Sequence, residues 1–342
     1  MNTKQSAIAC AIAAAALYAV NLPLSKLLLN HIQPTMLAAL LYLGAGLGLL
    51  PVRENRKAEN PLTCAELPYT IAMILLDIAA PILLMYGLKL TNSANASLLN
   101  NFEIAATSLI ALLVFKEVLS RRLWLAILLV TLASVLLSFE GAGSFRFNHG
   151  SLLVLGACVC WGFENNCTRM LSTKSSVQIT TIKGIFSGLG SLVIALSIGE
   201  RLPGMVWILS ALALGFVAYG LSINFYIMAQ KELGAAKTSA YYAIAPFFGV
   251  VLSMLLLGER PALTFYPGLV LMAAATWLMV RDTVSLQHTH QHVHIHTHAH
   301  SHGGMVHTHE HTHVHAHTHI HGETETVHTH THGYLEGHDH MH

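Results

Sequence analysis

Three carboxylates stand where they are expensive. Asp77, Glu103 and Glu164 each fall near the middle of a long apolar run. An ionisable group at that depth marks a substrate, ion or proton pathway more readily than a packing position. Glu103 and Glu164 have polar company on their own helices; Asp77 has less. Asn100 and Thr107 share the helical face of Glu103 at i−3 and i+4. Trp161, Asn165 and Thr168 make a polar stripe with Glu164, and Asn166 lies beside it. Tyr219, Ser222, Tyr226 and Gln230 recur at helical spacing with Asn224 nearby, and Tyr242 shares a face with Ser239 and Pro246. These stripes predict one hydrated polar site. Glu103, Glu164 and Asp77 would bind substrate or a proton, with Asn100, Asn165, Trp161, Tyr219, Tyr226 and Tyr242 around them. The plainer reading of Asn21, Ser222 and Asn224 is that they hydrogen-bond helices together. Cys160, Glu164 and Cys167, at i, i+4 and i+7, also share a helical face and offer thiolate and carboxylate ligands for Zn²⁺; the plainer reading is that the cysteines pack.

A second chemistry begins at His288, in HTHQHVHIHTHAHSH. All of the histidines but His31 and His149 lie beyond this point. They are His288, His290, His292, His294, His296, His298, His300 and His302; then His307, His309, His311, His313, His315, His317, His319 and His321; then His328, His330, His332, His338, His340 and His342. In an extended chain, alternate side chains point the same way, roughly 7 Å apart, so two imidazoles can hold one ion. Imidazole suits Zn²⁺, Ni²⁺, Co²⁺ and Cu²⁺. Residues 282–342 are therefore expected to be a metal-binding tail, low in complexity and largely disordered without metal.

The rest of the chain must position the carboxylates. Of 342 residues, 54% are hydrophobic and only 10% charged, against about 25% charged in a soluble domain. Apolar runs near 6–28, 34–52, 68–88, 94–115, 122–139, 151–171, 178–198, 204–228, 236–257 and 263–280 are of bilayer-crossing length, roughly 20 residues. Continuous rather than alternating apolarity makes them helices, not barrel strands. The first run continues to about Leu29, longer than a signal peptide's core. Five cysteines, four of them in apolar runs, do not form a disulfide framework. A net charge of +1 implies no nucleic-acid partner.

With the N-terminus in the cytoplasm, the inner flanks hold Lys4, Arg53, Arg56, Lys57, Lys116, Arg121, Arg122, Arg169, Lys174, Lys231, Lys237 and Arg281. The outer flanks hold Lys26, Lys89, Arg146, Arg201 and Arg260. The excess sets a multi-pass topology in the plasma (inner) membrane with both termini cytoplasmic. Lys183, inside the seventh run, is expected to snorkel to the inner surface. Glycines 44, 46, 48, 184 and 188 are expected to be close-packing positions.

The chain also repeats itself. With an offset of about 142, NSANASLL (92–99) lies against GAAKTSAY (234–241), and Glu117 meets Glu259. With one residue more, Tyr18 meets Trp161 and Lys26 meets Arg169. Each half, 1–140 and 144–281, holds five runs, so the halves insert with opposite orientation. Such inverted repeats are typical of transporters with a site near the midplane. Glu117 and Glu259, at run ends, read as caps or ion-pair partners.

At this point the chain resembles the drug/metabolite transporter superfamily, EamA type. The resemblance rests on the ten runs in two inverted halves, on LGAAKTSAYYAIAPFFGVVLSMLLLGERPALTFYPGLVLMAAATWLM (233–279) and on NSANASLLNNFEIAATSLIALLVFKE (92–117). In the first half Ile104 stands where the second has Pro246, and FKE replaces LGE. The resemblance implies an all-α integral membrane protein and secondary transport, often export, of a small metabolite, with no cofactor in the core. The expected partners are the bilayer, a small-molecule substrate and divalent metal on the tail, with room for a homodimer. Two other functions compete: a divalent-metal (Ni, Co or Zn) exporter, favoured by the tail, and a membrane-anchored metal buffer or sensor. No P-loop, HExxH motif or nucleophile–base set is present, so neither an enzyme nor ATP-driven transport by this chain is expected.

Overall fold

The computed structural model describes residues 3–51, 64–115, 120–140, 146–171, 176–233, 238, 241–302 and 305–320, with the backbone path alone for 282–320. Glu117, Ser239, His321 and the histidines after it lie outside these residues.

Ten helical segments follow one another in the described part of residues 3–286. They are α1 (Thr3–Ala19) with α2 (Asn21–Leu28); α3 (Pro34–Leu49); α4 (Leu67–Leu90); α5 (Ser93–Leu99) with α6 (Phe102–Phe115); and α7 (Arg121–Leu137). The second half adds α8 (His149–Arg169); α9 (Ser176–Ile182) with α10 (Gly188–Ser197); α11 (Met205–Gly215) with α12 (Ser222–Leu233); α13 (Ala245–Leu257); and α14 (Phe265–Leu286). Two π-helical pieces, Lys183–Ser187 and Phe216–Leu221, interrupt the seventh and eighth segments. A short antiparallel pair, β1 (Phe139–Glu140) with β2 (Arg146–Phe147), links the halves.

The surface of this bundle is inverted relative to a soluble protein. Leu113, Val193, Val206, Leu255 and Val270 are exposed, whereas Asn21, Asp77, Glu164 and Ser222 are buried. Lipid is the solvent that makes such an arrangement stable, because helices satisfy their own backbone groups there. Among the described residues, five helices are long and apolar enough to span a membrane, and α3, α13 and residues 265–281 of α14 are shorter apolar helices.

Packing follows the repeat. α4 lies along α8, and its counterpart α12 lies along α1, the counterpart of α8; α3 crosses its own counterpart α10. Glycine permits the central crossings. A Cβ on Gly46 would stand 2.6 Å from Ile185 N, and one on Gly184 would meet the Gly46 backbone. Gly44 abuts the Leu212 backbone, Gly48 the Phe216 ring and Gly188 Leu43. Gly46→Val is therefore expected to force α3 from α10 and cost about 1–3 kcal/mol, as overpacking does. A lowered melting temperature of the purified protein would show it.

Over β3 (Gln287–His302) and β4 (Met305–Ile320) the backbone forms an antiparallel ribbon. Its register sets histidine opposite histidine at 288/319, 290/317, 292/315, 294/313, 296/311, 298/309 and 300/307. The spacers suit this ribbon, since Thr, Val and Ile favour extended backbone.

Candidate functional site

The site builds from α4 and α8. Asp77 lies mid-way along α4, four residues before Pro81. Proline has no N–H to return to the carbonyl of residue i−4, so it loosens the helix at Asp77 itself. Glu164 lies in the last third of α8. Both carboxylates are almost fully enclosed, at 1% and 2% exposure. Lys183 joins them. Its Nζ is 2.8 Å from Glu164 Oε1 and 3.3 Å from Asp77 Oδ2. The expected snorkelling of Lys183 is thereby corrected: the side chain turns inward. The reason is local, since Lys183 opens the first π-helical piece, and such a bulge rotates the residues it contains.

Neutral donors complete the cluster. Tyr42 Oη donates to Asp77 Oδ1 at 3.0 Å, and Trp161 Nε1 donates to Tyr42 Oη at 3.3 Å. Thr168 Oγ1 donates to Glu164 Oε1. Two carboxylates thus share one ammonium across α4, α8 and the π-helical piece before α10.

A second group gathers around Glu103. Asn165 Nδ2 donates to Glu103 Oε1 at 2.8 Å and to Thr107 Oγ1 at 3.2 Å. Asn100 Nδ2 donates to Tyr18 Oη at 3.0 Å. Tyr18 packs edge-on to Tyr219, with centroids 5.9 Å apart, and against Tyr242 at 5.8 Å. Tyr226 packs on Tyr242 at 5.2 Å, and Tyr219 on Tyr42 at 5.6 Å. Asn21 Nδ2 donates to Tyr219 Oη at 2.8 Å.

All nine membrane residues singled out in the sequence therefore lie in two adjoining groups. Asp77, Glu164, Trp161 meet through Lys183 and Tyr42; Glu103, Asn165, Asn100, Tyr219, Tyr226 and Tyr242 gather with Tyr18. Lys183, Tyr18 and Tyr42 were missed as site residues. The signal for Lys183 was available, since a lysine inside an apolar run needs a partner as much as a carboxylate does. Nothing in the spacing of Tyr42 distinguishes it from a packing tyrosine. Ser222 Oγ donates to Ala14 O at 2.9 Å, and Asn166 Nδ2 to Gly162 O at 2.8 Å and Thr107 O at 3.1 Å; both tie helices. Among the described residues no group of three or more His, Cys, Asp or Glu is placed to hold a metal ion. The Cys160–Glu164–Cys167 face does not form one, because Glu164 is taken by Lys183 and Thr168.

The repeat gives this arrangement a counterpart. Under the same offsets, Tyr219 corresponds to Asp77 and Asn21 to Glu164. The neutral Asn21–Tyr219 hydrogen bond between the first segment and the second π-helical piece occupies the place that the charged pair occupies between α8 and α4.

A model of the EamA-like transporter family matches residues 5–139 and again 148–281. The chain belongs to the EamA-like transporter family. Its relatives agree with that. An uncharacterized transporter of Methanothermobacter thermautotrophicus is 28% identical over 269 residues, 72% of this chain and 78% of the relative. The uncharacterized transporter YyaM of Bacillus subtilis is 23% identical over 184 residues, half of this chain and 59% of YyaM, so the match spans less than two thirds of that relative. One protein crystal structure, 18% identical, superposes with a TM-score of 0.59 over 82% of this chain and 99% of its own, a likeness of fold. This EamA-like protein is thus a multi-pass membrane protein of a transporter family.

Proposed function

We propose that this EamA-like protein is a secondary transporter, of export type, for a small polar metabolite. It sits in the inner membrane with both termini in the cytoplasm. The observation that carries the reading is the buried Asp77–Lys183–Glu164 cluster beside Glu103. Asp77 and Glu103 come from the first half and Glu164 and Lys183 from the second. Charges shared between two inverted halves are where a proton or substrate can favour one arrangement of the halves over the other. The described membrane residues offer no ready metal-ligand group, so a metabolite is favoured over a bare metal ion as the cargo. Comparison of extracellular metabolites from cells expressing wild type or Glu103→Gln tests this. A polar compound enriched outside by wild type alone is expected; identical profiles would overturn the reading.

The tail is proposed to bind divalent metal on the cytoplasmic side. Its support is the pairing of histidine with histidine along the ribbon: two positions per strand make a patch of four imidazole-bearing residues on one face. Removing residues 288–342 is expected to abolish nearly all Zn²⁺ or Ni²⁺ retained by the purified protein after dialysis, read by elemental analysis. In cells, metal content that follows the tail and ignores Glu103→Gln marks the tail as a store. Metal that falls on overexpression, and no longer does so with Glu103→Gln, makes the cargo a metal chelate.

A further inference from the structure

On the reading that the tail binds divalent metal, we infer that the metal also folds it. Ions that take imidazole, such as Zn²⁺, bridge β3 to β4 and hold the ribbon as a ladder of histidine rungs. The alternation along the chain supplies the ligands; the register puts them in order. At every second position from 288/319 to 300/307, histidine stands opposite histidine. Of the histidines in the two strands only His302 faces another residue, Met305. The positions between the rungs are matched as well. Thr289 stands opposite Thr318, Val293 opposite Val314 and Ile295 opposite Thr312. Cross-strand pairs of this kind favour the pairing of their strands. A slip of one residue would set every histidine opposite a spacer, so the register of the ribbon is one that serves histidines and spacers alike.

Two strands by themselves are marginal in water. Gln, Ala, Ser and Glu stand among the spacers, so these do not build an apolar core to hold the strands. What the pairing does supply is ligand spacing. Directly opposite residues of an antiparallel pair lie about 5 Å apart, and alternate residues of one strand about 7 Å. Two neighbouring rungs therefore bring four histidine positions within reach of one ion, and Zn²⁺ takes four ligands. Such an ion bonds to both strands. It binds the ribbon better than the open chain, and by mass action it shifts the balance toward the ribbon. A histidine-rich coil would take up metal with no need of register; a ladder depends on it.

The test reads closure of the ribbon with pyrene labels on Gln287→Cys and Ile320→Cys, which are register partners at its open end. It uses the full-length protein in lipid nanodiscs, one copy per disc, with the five native cysteines replaced by alanine or serine. After chelation, a coil of this length holds its ends roughly 30 Å apart, and monomer emission alone is expected. Added Zn²⁺ is expected to raise the excimer-to-monomer ratio severalfold. A second protein keeps the composition of β4 but permutes it, so that its histidines stand as adjacent pairs. It is expected to retain Zn²⁺, by elemental analysis after dialysis, and to give little excimer. Equal excimer from the two tails, or Zn²⁺ retained by the natural tail with no rise in excimer, would overturn the ladder. Excimer as strong before Zn²⁺ as after it would overturn folding by metal. Zn²⁺ retained by neither tail would remove the metal-binding reading itself, and the ladder with it.

Discussion

Lys183→Met is expected to abolish transport and to destabilise the protein more than any other single change considered. The methionine is similar in length and apolar, so packing changes little. What changes is charge: Asp77 and Glu164 would be left enclosed with no cation between them. Breaking a buried ion pair by removing one partner costs about 3–5 kcal/mol, whereas replacing all members by neutral groups is often nearly neutral. The triple variant Asp77→Asn, Glu164→Gln, Lys183→Met should therefore recover most of the melting temperature while staying inactive in metabolite export. A Lys183→Met protein that melts like wild type would mean that the cluster does not hold α4, α8 and α10 together. A triple variant that exports would mean that the cluster serves folding alone.

Glu200→Ala combined with Glu259→Ala is expected to open one end of the bundle. Glu200, in the connection before α11, accepts from Thr35 N at 3.2 Å and Met36 N at 2.6 Å at the start of α3. Glu259 accepts from Ser93 N at 2.8 Å and Ala94 N at 2.9 Å at the start of α5. Each carboxylate belongs to the second half and caps a helix of the first, where unpaired N–H groups and the helix dipole favour negative charge. The capping role expected for Glu259 is therefore its geometry here. Lys26 closes the same end by donating to Leu88 O at 2.5 Å and Thr91 O at 2.7 Å. This end is the outer one in the proposed orientation. A cap is worth about 1 kcal/mol, so losing two should raise the open population by about tenfold or more. Labelling of Ser97→Cys, a buried position beside Gly249, by a membrane-impermeant thiol reagent reads that population. A rate unchanged by the two substitutions would limit the caps to folding.

Much of this protein was settled along the chain. Apolar runs of bilayer length become helices because lipid offers no partner to an open backbone group. The offset of about 142 between the halves makes the pairing of α4 with α8 equivalent to that of α12 with α1, although which helices meet comes from the packing. Asp77, Glu103 and Glu164 were visible as site candidates from cost alone, since a charge in an apolar run demands a partner whatever the fold. The glycines of α3 and α10 announced a close crossing for a similar reason: no other residue lets two backbones touch.

What the chain could not reveal was who partners whom. Asp77 has little polar company on its own helix, yet Tyr42 and Lys183 reach it from other spans. Lys183 looked free to reach the surface. Only the π-helical piece that begins with it, and the closeness of α8, turn it toward Glu164. The split between a charged pair at Asp77 and Glu164 and a neutral one at Tyr219 and Asn21 likewise needed the helices in place. Side-chain direction in a helix changes by about 100° per residue, so one extra residue in one turn decides which neighbour a charge meets. Hydrophobic periodicity does not record that turn; the packing of ten helices against one another does.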